Sequence, residues 1–214
     1  MIKLLYLILT LLYPHVNSSV TRVIDGDTLD ADFGRVRLLS INAPEKGQRC
    51  SDNATKFLER LKGSKLTFFR DIENKDKYKR FLRYVYYQDE LVSLEMVKEG
   101  LAKSYCFFPN LNHCSEIKKA QLNAMKNKKG CLWSESNKTC LIISEADKRS
   151  DLAQITNICA ENVGLDGVYV ESDGRQRVKF FGILCPGCIK DFSINIGDFL
   201  MVFDKQGLID YRAF

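Results

Sequence analysis

Residues 20–24 and 35–41 are short β-branched or alternating runs, broken by Asp25-Gly26-Asp27 and Phe33-Gly34. That is the pattern of half-buried strands joined by tight turns. Residues 65–70 and 81–87 are two further strand candidates. Between them the period changes. Ala54, Phe57, Leu58 and Leu61 recur at i, i+3, i+4 and i+7, with Ser51 as candidate N-cap and Gly63 as stop, which predicts a helix. Residues 94–99 end at Gly100, and residues 115–129 place Ile117, Ala120 and Ala124 on one stripe before Gly130. The front of the chain therefore reads as a small barrel-like sheet with helices inserted or appended.

After Trp133, residues 134–138 are polar and read as a linker. From Leu141 the helical period disappears. Strand candidates follow at 152–158, 167–170, 177–181, 199–203 and 208–211, the spacing of a small all-β sandwich or barrel. No internal repeat or low-complexity tract is visible. At 214 residues the chain accommodates one large domain or two small ones, and its 45% hydrophobic and 28% charged content is that of a folded globule. Charge separates the halves. Residues 1–140 carry net +8 and residues 141–214 net −3, which together make the +5 of the whole chain. The basic front suits a polyanion.

Met1, Ile2 and Lys3 precede an apolar run from Leu4 to Tyr13 that Pro14 ends. One basic residue followed by a short apolar run is a secretory signal pattern. Residues 1–18 are expected to be such a signal, cut before Ser19; a buried first helix or an uncleaved anchor is the alternative. No run approaches the roughly 20 apolar residues of a membrane span, so none is expected in the mature chain. Eight cysteines in an exported chain read first as disulfides. Cys106 with Cys114, and Cys131 with Cys140, bracket short loops and could each close locally, but spacing leaves the connectivity open. Cys185-Pro186-Gly187-Cys188 could be a redox or zinc half-site. It lacks the supporting βαβ context or second ligand pair, so a structural turn disulfide or plain thiols is the reading adopted.

Four charged clusters in the front half carry candidate chemistry. Asp25-Gly26-Asp27-Thr28 sets two carboxylates beside a flexible residue, and Arg37 lies on the next strand. Asn42-Ala43-Pro44-Glu45 offers an amide oxygen, a carbonyl and a carboxylate, and Asp76-Lys77-Tyr78-Lys79-Arg80 opens another strand. Carboxylate, amide and carbonyl oxygens are hard ligands suited to Ca²⁺. Arginines clamp phosphate oxygens two at a time, and a glutamate beside a metal can orient or deprotonate water. Singly each cluster is an ordinary solvated turn or charged face.

In order and spacing, however, Asp-Gly-Asp-Thr, Arg-Leu-Leu-x-Ile-Asn-Ala-Pro-Glu, Asp-Lys-Tyr-x-Arg and Glu-Gly-Leu-Ala-Lys closely resemble the staphylococcal nuclease (thermonuclease) family. The resemblance runs from about Val20 to Ser136 and includes Leu132-Trp133-Ser134. It implies an α+β domain over 19–136, a five-stranded OB-type barrel with three helices. It also implies Ca²⁺-dependent hydrolysis of DNA and RNA with little sequence preference, leaving 3′-phosphates. Carried over by motif position, Asp27 and Asn42 would ligate Ca²⁺ through side-chain oxygens and Ala43 through its carbonyl, with Asp25 just outside. Arg37, Glu45 and Arg80 would be catalytic, Glu45 on the water and the arginines on the phosphate. Lys77 and Tyr78 would contact the substrate's terminal phosphate. Three departures stand out. Asn42 replaces an Asp, Lys79 replaces a Gly, and Cys106 and Phe108 fall at the positions assigned to the pocket tyrosines.

Residues 137–140 would be a linker, and residues 141–214 look like a short lamin-tail-type domain, an immunoglobulin-like sandwich. A second OB-fold is the rival. Such a tail implies cell-surface or protein contact, and its net negative charge disfavours a second nucleic-acid clamp. The leading expectation is a secreted, monomeric nuclease. Its rivals are a non-cutting nucleic-acid-binding module of the same fold and a cysteine-based redox or metal protein.

Overall fold

The computed structural model describes residues 15–173 and 176–214. Residues 1–14, most of the expected signal segment, lie outside the described residues. The chain divides into two compact units, one running through Cys131 and the other from Leu132 to Phe214.

In the first unit β1 (His15–Val23), β2 (Thr28–Ala31), β3 (Gly34–Leu38), β5 (Lys65–Phe69) and β6 (Phe81–Tyr87) form a closed five-stranded barrel. Neighbours run antiparallel except at the seam, where β3 and β6 pair in parallel, Arg37 opposite Leu82. Two short strands, β4 (Ile41–Asn42) and β8 (Lys103–Ser104), pair beside the barrel, and β7 (Glu90–Leu91) extends β6. His15–Ser18, expected to precede the cut, are part of β1 and pair with β5. There the Ser18 hydroxyl donates to Asp32 and accepts the Asp32 N–H. The strand β2 carries no alternation long enough to stand out in sequence, and the structure adds it.

Three longer helices match the periodic segments: α1 (Ser51–Glu59), α2 (Val92–Lys98) and α3 (Cys114–Lys126). A short α4 (Gly130–Trp133) follows. Ser51 is not the cap of α1. Cys50, in left-handed conformation, takes that place, and the Ser51 hydroxyl turns to Asp52. Ala54, Leu58, Leu61, Met96, Val97 and Ile117 pack with Leu29, Val36, Leu66 and Phe68 into one core. Burying one such aliphatic side chain contributes about 1.5–3 kcal/mol, so the helical stripes and the barrel interior hold each other.

The second unit is all β. A three-stranded sheet joins β9 (Leu141–Asp147), β10 (Leu152–Asn157) and β15 (Ile189–Ser193), and a four-stranded one joins β12 (Tyr169–Ser172), β13 (Gln176–Lys179), β16 (Phe199–Phe203) and β17 (Leu208–Ala213). The pair β11 (Val163–Gly164) and β14 (Ile183–Leu184) completes it. Leu141, Ile155, Val170, Phe192, Leu200 and Val202 share its core. Residues 134–138 are part of this unit and no free linker: Ser136 N–H donates to Leu208 O, and its hydroxyl donates to Asp204 at 2.7 Å. Trp133 packs on Phe203.

The cysteines pair as Cys50–Cys131, Cys106–Cys114, Cys140–Cys159 and Cys185–Cys188, with Cα separations of 5.2–5.9 Å, within bridging range. Local closure holds for Cys106–Cys114. Cys131 and Cys140 instead take distant partners. In the Cys-Pro-Gly-Cys turn the Cys188 N–H donates to Cys185 O, and Gly187 has φ 70°. Among the described residues no helix begins at this turn to stabilise a thiolate, which fits a structural bridge. Cys50–Cys131 spans 81 residues and Cys106–Cys114 spans 8. Loop-closure entropy therefore predicts a loss of about 4 kcal/mol for the double serine variant of the first pair and about 2–3 kcal/mol for the second. Denaturant midpoints of the two variants under oxidising conditions check the order.

Candidate active site

The site begins at the β1–β2 turn. Asp25 accepts the Asp27 N–H at 3.0 Å, an Asx turn that reverses the chain. Gly26 lies where a Cβ would come within 2.6 Å of both the Ala43 and Ala54 side chains. Its missing side chain lets the turn settle against the segment after β4 and against α1. That approach puts the Asp27 carboxylate 2.9 Å from the Ala43 N–H, which donates to it.

Register brings in the arginines. Thr28 faces Arg37 across β2–β3, and the Arg37 guanidinium reaches inward. Its Nη2 lies 3.0 Å from Asp27 Oδ2, and donates to Ile41 O at 2.8 Å and to Asn42 Oδ1 at 3.2 Å. Its Nη1 donates to Leu38 O. Both side chains are nearly buried, Arg37 12% and Asp27 11% exposed. Burial lifts the Asp27 carboxyl above the ordinary carboxylate range against the pull of Arg37, and lowers Arg37 against the pull of Asp27.

Arg80 arrives on a different support. Asp76 accepts the Tyr78 and Arg80 N–H groups with one oxygen and Arg80 Nε with the other, at 2.7 Å. Arg80 Nη1 reaches Thr28 Oγ1 at 3.3 Å, and Thr28 Oγ1 donates to Asp27 Oδ1 at 3.0 Å. A buried threonine thus links the carboxylate to the second arginine. Lys79 has φ 65°, a left-handed conformation that disfavours a side chain by about 1–2 kcal/mol and that glycine adopts freely. Behind this loop Arg83 donates to Asn74, and burial brings its pKa down to about 10.

Of the residues singled out from sequence, Asp27, Arg37, Asn42 and Ala43 converge, Asp25 shapes their turn, and Arg80 joins through Thr28. Glu45 stands exposed in the loop before α1, its N–H donating to Gln48. Lys77 and Tyr78 stand on the Arg80 loop, with Tyr78 68% exposed between Lys77 and Arg80 at 5.0 and 5.5 Å. Gly26, Thr28 and Asp76 stand in the motifs read from sequence, but the roles the structure gives them were not assigned there. At the positions assigned to the pocket tyrosines the structure offers no ring pair. Cys106 is buried in its bridge and Phe108 points to solvent. The rings that neighbour each other are Tyr105 and Phe107, 5.9 Å apart, with Tyr105 close enough to act on the Arg37 charge. Alternation along an extended segment was the signal that could have found them.

The model of the family described as staphylococcal nuclease homologue matches residues 35–135. Thermonuclease of Staphylococcus intermedius is 36% identical over 120 residues, covering 50% of this chain and 70% of that protein. Thermonuclease of Staphylococcus hyicus is 34% identical over 126 residues, 54% and 74% of the two chains. The chain belongs to the staphylococcal nuclease family. An uncharacterized endonuclease of Haemophilus influenzae is 35% identical over 127 residues. The chain is accordingly a nuclease, a hydrolase of the endonuclease kind. The model match ends at 135, so most of the second unit lies beyond it.

The donors in this nuclease are hard oxygens that meet around one point, since Asp27 Oδ2 and Asn42 Oδ1 both contact a single nitrogen of Arg37. The set suits a hard cation such as Ca²⁺. It is lean in charge. Among the described residues no three His, Cys, Asp or Glu side chains form a metal-ligating cluster. Because the whole arrangement rests on the close approach of Gly26, Gly26→Ala is expected to destabilise the protein by about 1–3 kcal/mol and to lower nuclease activity. Thermal melting beside a plasmid-nicking assay checks both effects.

Proposed function

We propose that the protein is a secreted, Ca²⁺-dependent nuclease that cleaves DNA and RNA with little sequence preference and leaves 3′-phosphates. The observation that carries this reading is the convergence of Asp27, held by the Ala43 N–H, and Asn42 on Arg37, with Arg80 joined to them through Thr28. In it Asp27 and Asn42 side-chain oxygens and the Ala43 carbonyl hold Ca²⁺, while Asp25 keeps the turn in shape. The bound ion would neutralise charge building on the phosphate. Arg37 and Arg80 clamp the non-bridging oxygens, and their planar forks stabilise the added negative charge of an in-line displacement. Glu45, exposed on its loop, orients the attacking water and takes its proton. Lys77 and Tyr78 hold the terminal phosphate, and the Tyr105 and Phe107 rings offer faces on which a base stacks.

The cysteine pairing supports export, since such bridges persist in oxidising compartments. The reading takes residues 1–18 as the signal, 19–136 as the nuclease domain, and 141–214 as a lamin-tail-like, immunoglobulin-type domain for protein or surface contact, with 137–140 held against that domain as its lead-in. It takes the protein to be a monomer. The acidic balance of the tail keeps it off the polyanion.

Plasmid nicking with Ca²⁺ and then with chelator tests the activity, and end-labelling of the products tests the 3′-phosphate. Arg37→Lys and Arg80→Lys keep the charge and lose the two-point fork. Each is expected to lower turnover by about 10²–10³-fold, and Glu45→Gln by about 10²–10⁴-fold. Wild-type turnover by Arg80→Lys would remove that residue from the clamp. Asn42 contributes a dipole where a carboxylate would contribute a charge. Asn42→Asp is therefore expected to lower the Ca²⁺ concentration for half-maximal activity about five- to hundredfold. An unchanged requirement would take Asn42 out of the metal's coordination.

A further inference from the structure

The two arginines of the site are held in different ways. Arg80 is braced from outside the metal-ligand set: Asp76 fixes its Nε, and the contact to Thr28 is a long 3.3 Å. Its side chain is 27% exposed. Arg37 is braced by the ligand set itself. One nitrogen, Nη2, contacts Asp27 Oδ2, Asn42 Oδ1 and the Ile41 carbonyl within 3.2 Å, and Nη1 is turned to the Leu38 carbonyl. A guanidinium has five N–H donors in one plane. With its terminal nitrogens turned onto Asp27 and three oxygens of its own chain, this one does not present a two-point fork outward.

We propose that Arg37 is an internal cation competing with the metal for Asp27 and Asn42, so that metal binding is what frees Arg37 for phosphate. The inference rests on the assignment of these two residues as ligands. A buried carboxylate needs a positive partner, and Arg37 supplies it. A divalent ion brings twice the charge to the same two oxygens and displaces Nη2 from them. The Leu38 and Ile41 carbonyls, which are not in the ligand set, keep the arginine hinged beside the site. Two consequences follow. Metal affinity is lowered by the contacts that Arg37 must give up. The phosphate clamp is assembled only at metal-loaded sites, which couples substrate capture to metal occupancy.

The test is Ca²⁺ binding by isothermal titration calorimetry, without nucleic acid, to the oxidised full chain. Arg37→Gln is expected to bind Ca²⁺ about tenfold more tightly than wild type, the equivalent of one modest buried ion-pair contact. Arg80→Gln removes the same charge from nearby without touching the ligands, and is expected to change affinity less than about threefold. Arg37→Gln affinity at or below wild type overturns the proposal, and so does an equal rise in both variants, which would mean repulsion at a distance. Asp27→Asn separates the two levels of the argument. Loss of binding upholds the ligand assignment, whereas unchanged binding overturns that assignment and the competition with it. Should Arg37→Gln fail to fold, nitrogen-15 NMR of the wild type reads the same event. The Arg37 guanidinium protons should lose their exchange protection as Ca²⁺ is added while those of Arg80 keep theirs. Protection retained at saturating Ca²⁺ would overturn the proposal.

Discussion

The parallel pairing of β3 with β6 is the constraint on which the catalytic unit depends. Without it the strands would form an open sheet, with β3 at an edge and its backbone groups unpaired. With it, Val36, Arg37 and Leu38 lie opposite Phe81, Leu82 and Arg83, and the barrel encloses Leu29, Val36, Phe68 and Leu82. The same pairing brings Arg37, on one strand, beside the loop that delivers Arg80 to the next. Arg37 feels the Arg80 charge. Two cations are tolerable there because Asp27 and Asp76 each hold one of them.

The Asp27–Arg37 pair is a poor way to stabilise a fold. Desolvating both groups offsets much of their attraction, and a well-packed apolar pair would do as well or better. In the proposed reaction its value is functional: it keeps a carboxylate and a guanidinium together in a nearly dry place, where a bound divalent ion would take the carboxylate and release the guanidinium to a phosphate. The Ala43 N–H on Asp27 and the Leu38 and Ile41 carbonyls on Arg37 hold that geometry by backbone groups that substitutions do not remove, and the Thr28 hydroxyl adds a side-chain bond to Asp27.

The bridges brace the parts of the unit that lack strand or helix support. Cys50–Cys131 ties the end of the Glu45 loop to the start of α4, and Cys106–Cys114 ties the Tyr105–Phe107 segment to the first turn of α3. In both cases a residue given a part in the proposed reaction, Glu45 or Tyr105, lies within five positions of the bridge.

Much of this protein was legible from its residues. Helix periods located α1, α2 and α3 because neighbours three and four apart must share a face. The charged motifs, through their order and spacing and the family they resemble, singled out Asp27, Arg37, Asn42, Ala43, Glu45 and Arg80. What the local pattern could not carry was partnership over distance. Cys50 finds Cys131 across 81 residues, and residues 134–138 read as a linker although Leu208 and Asp204 hold them. The capture of Arg37 by Asp27 and Asn42, and the bridging role of Thr28, likewise exist only once the barrel has closed. Local sequence sets the period of an element and the chemistry of a side chain. Which groups meet in space is decided by burial and register summed over the whole barrel.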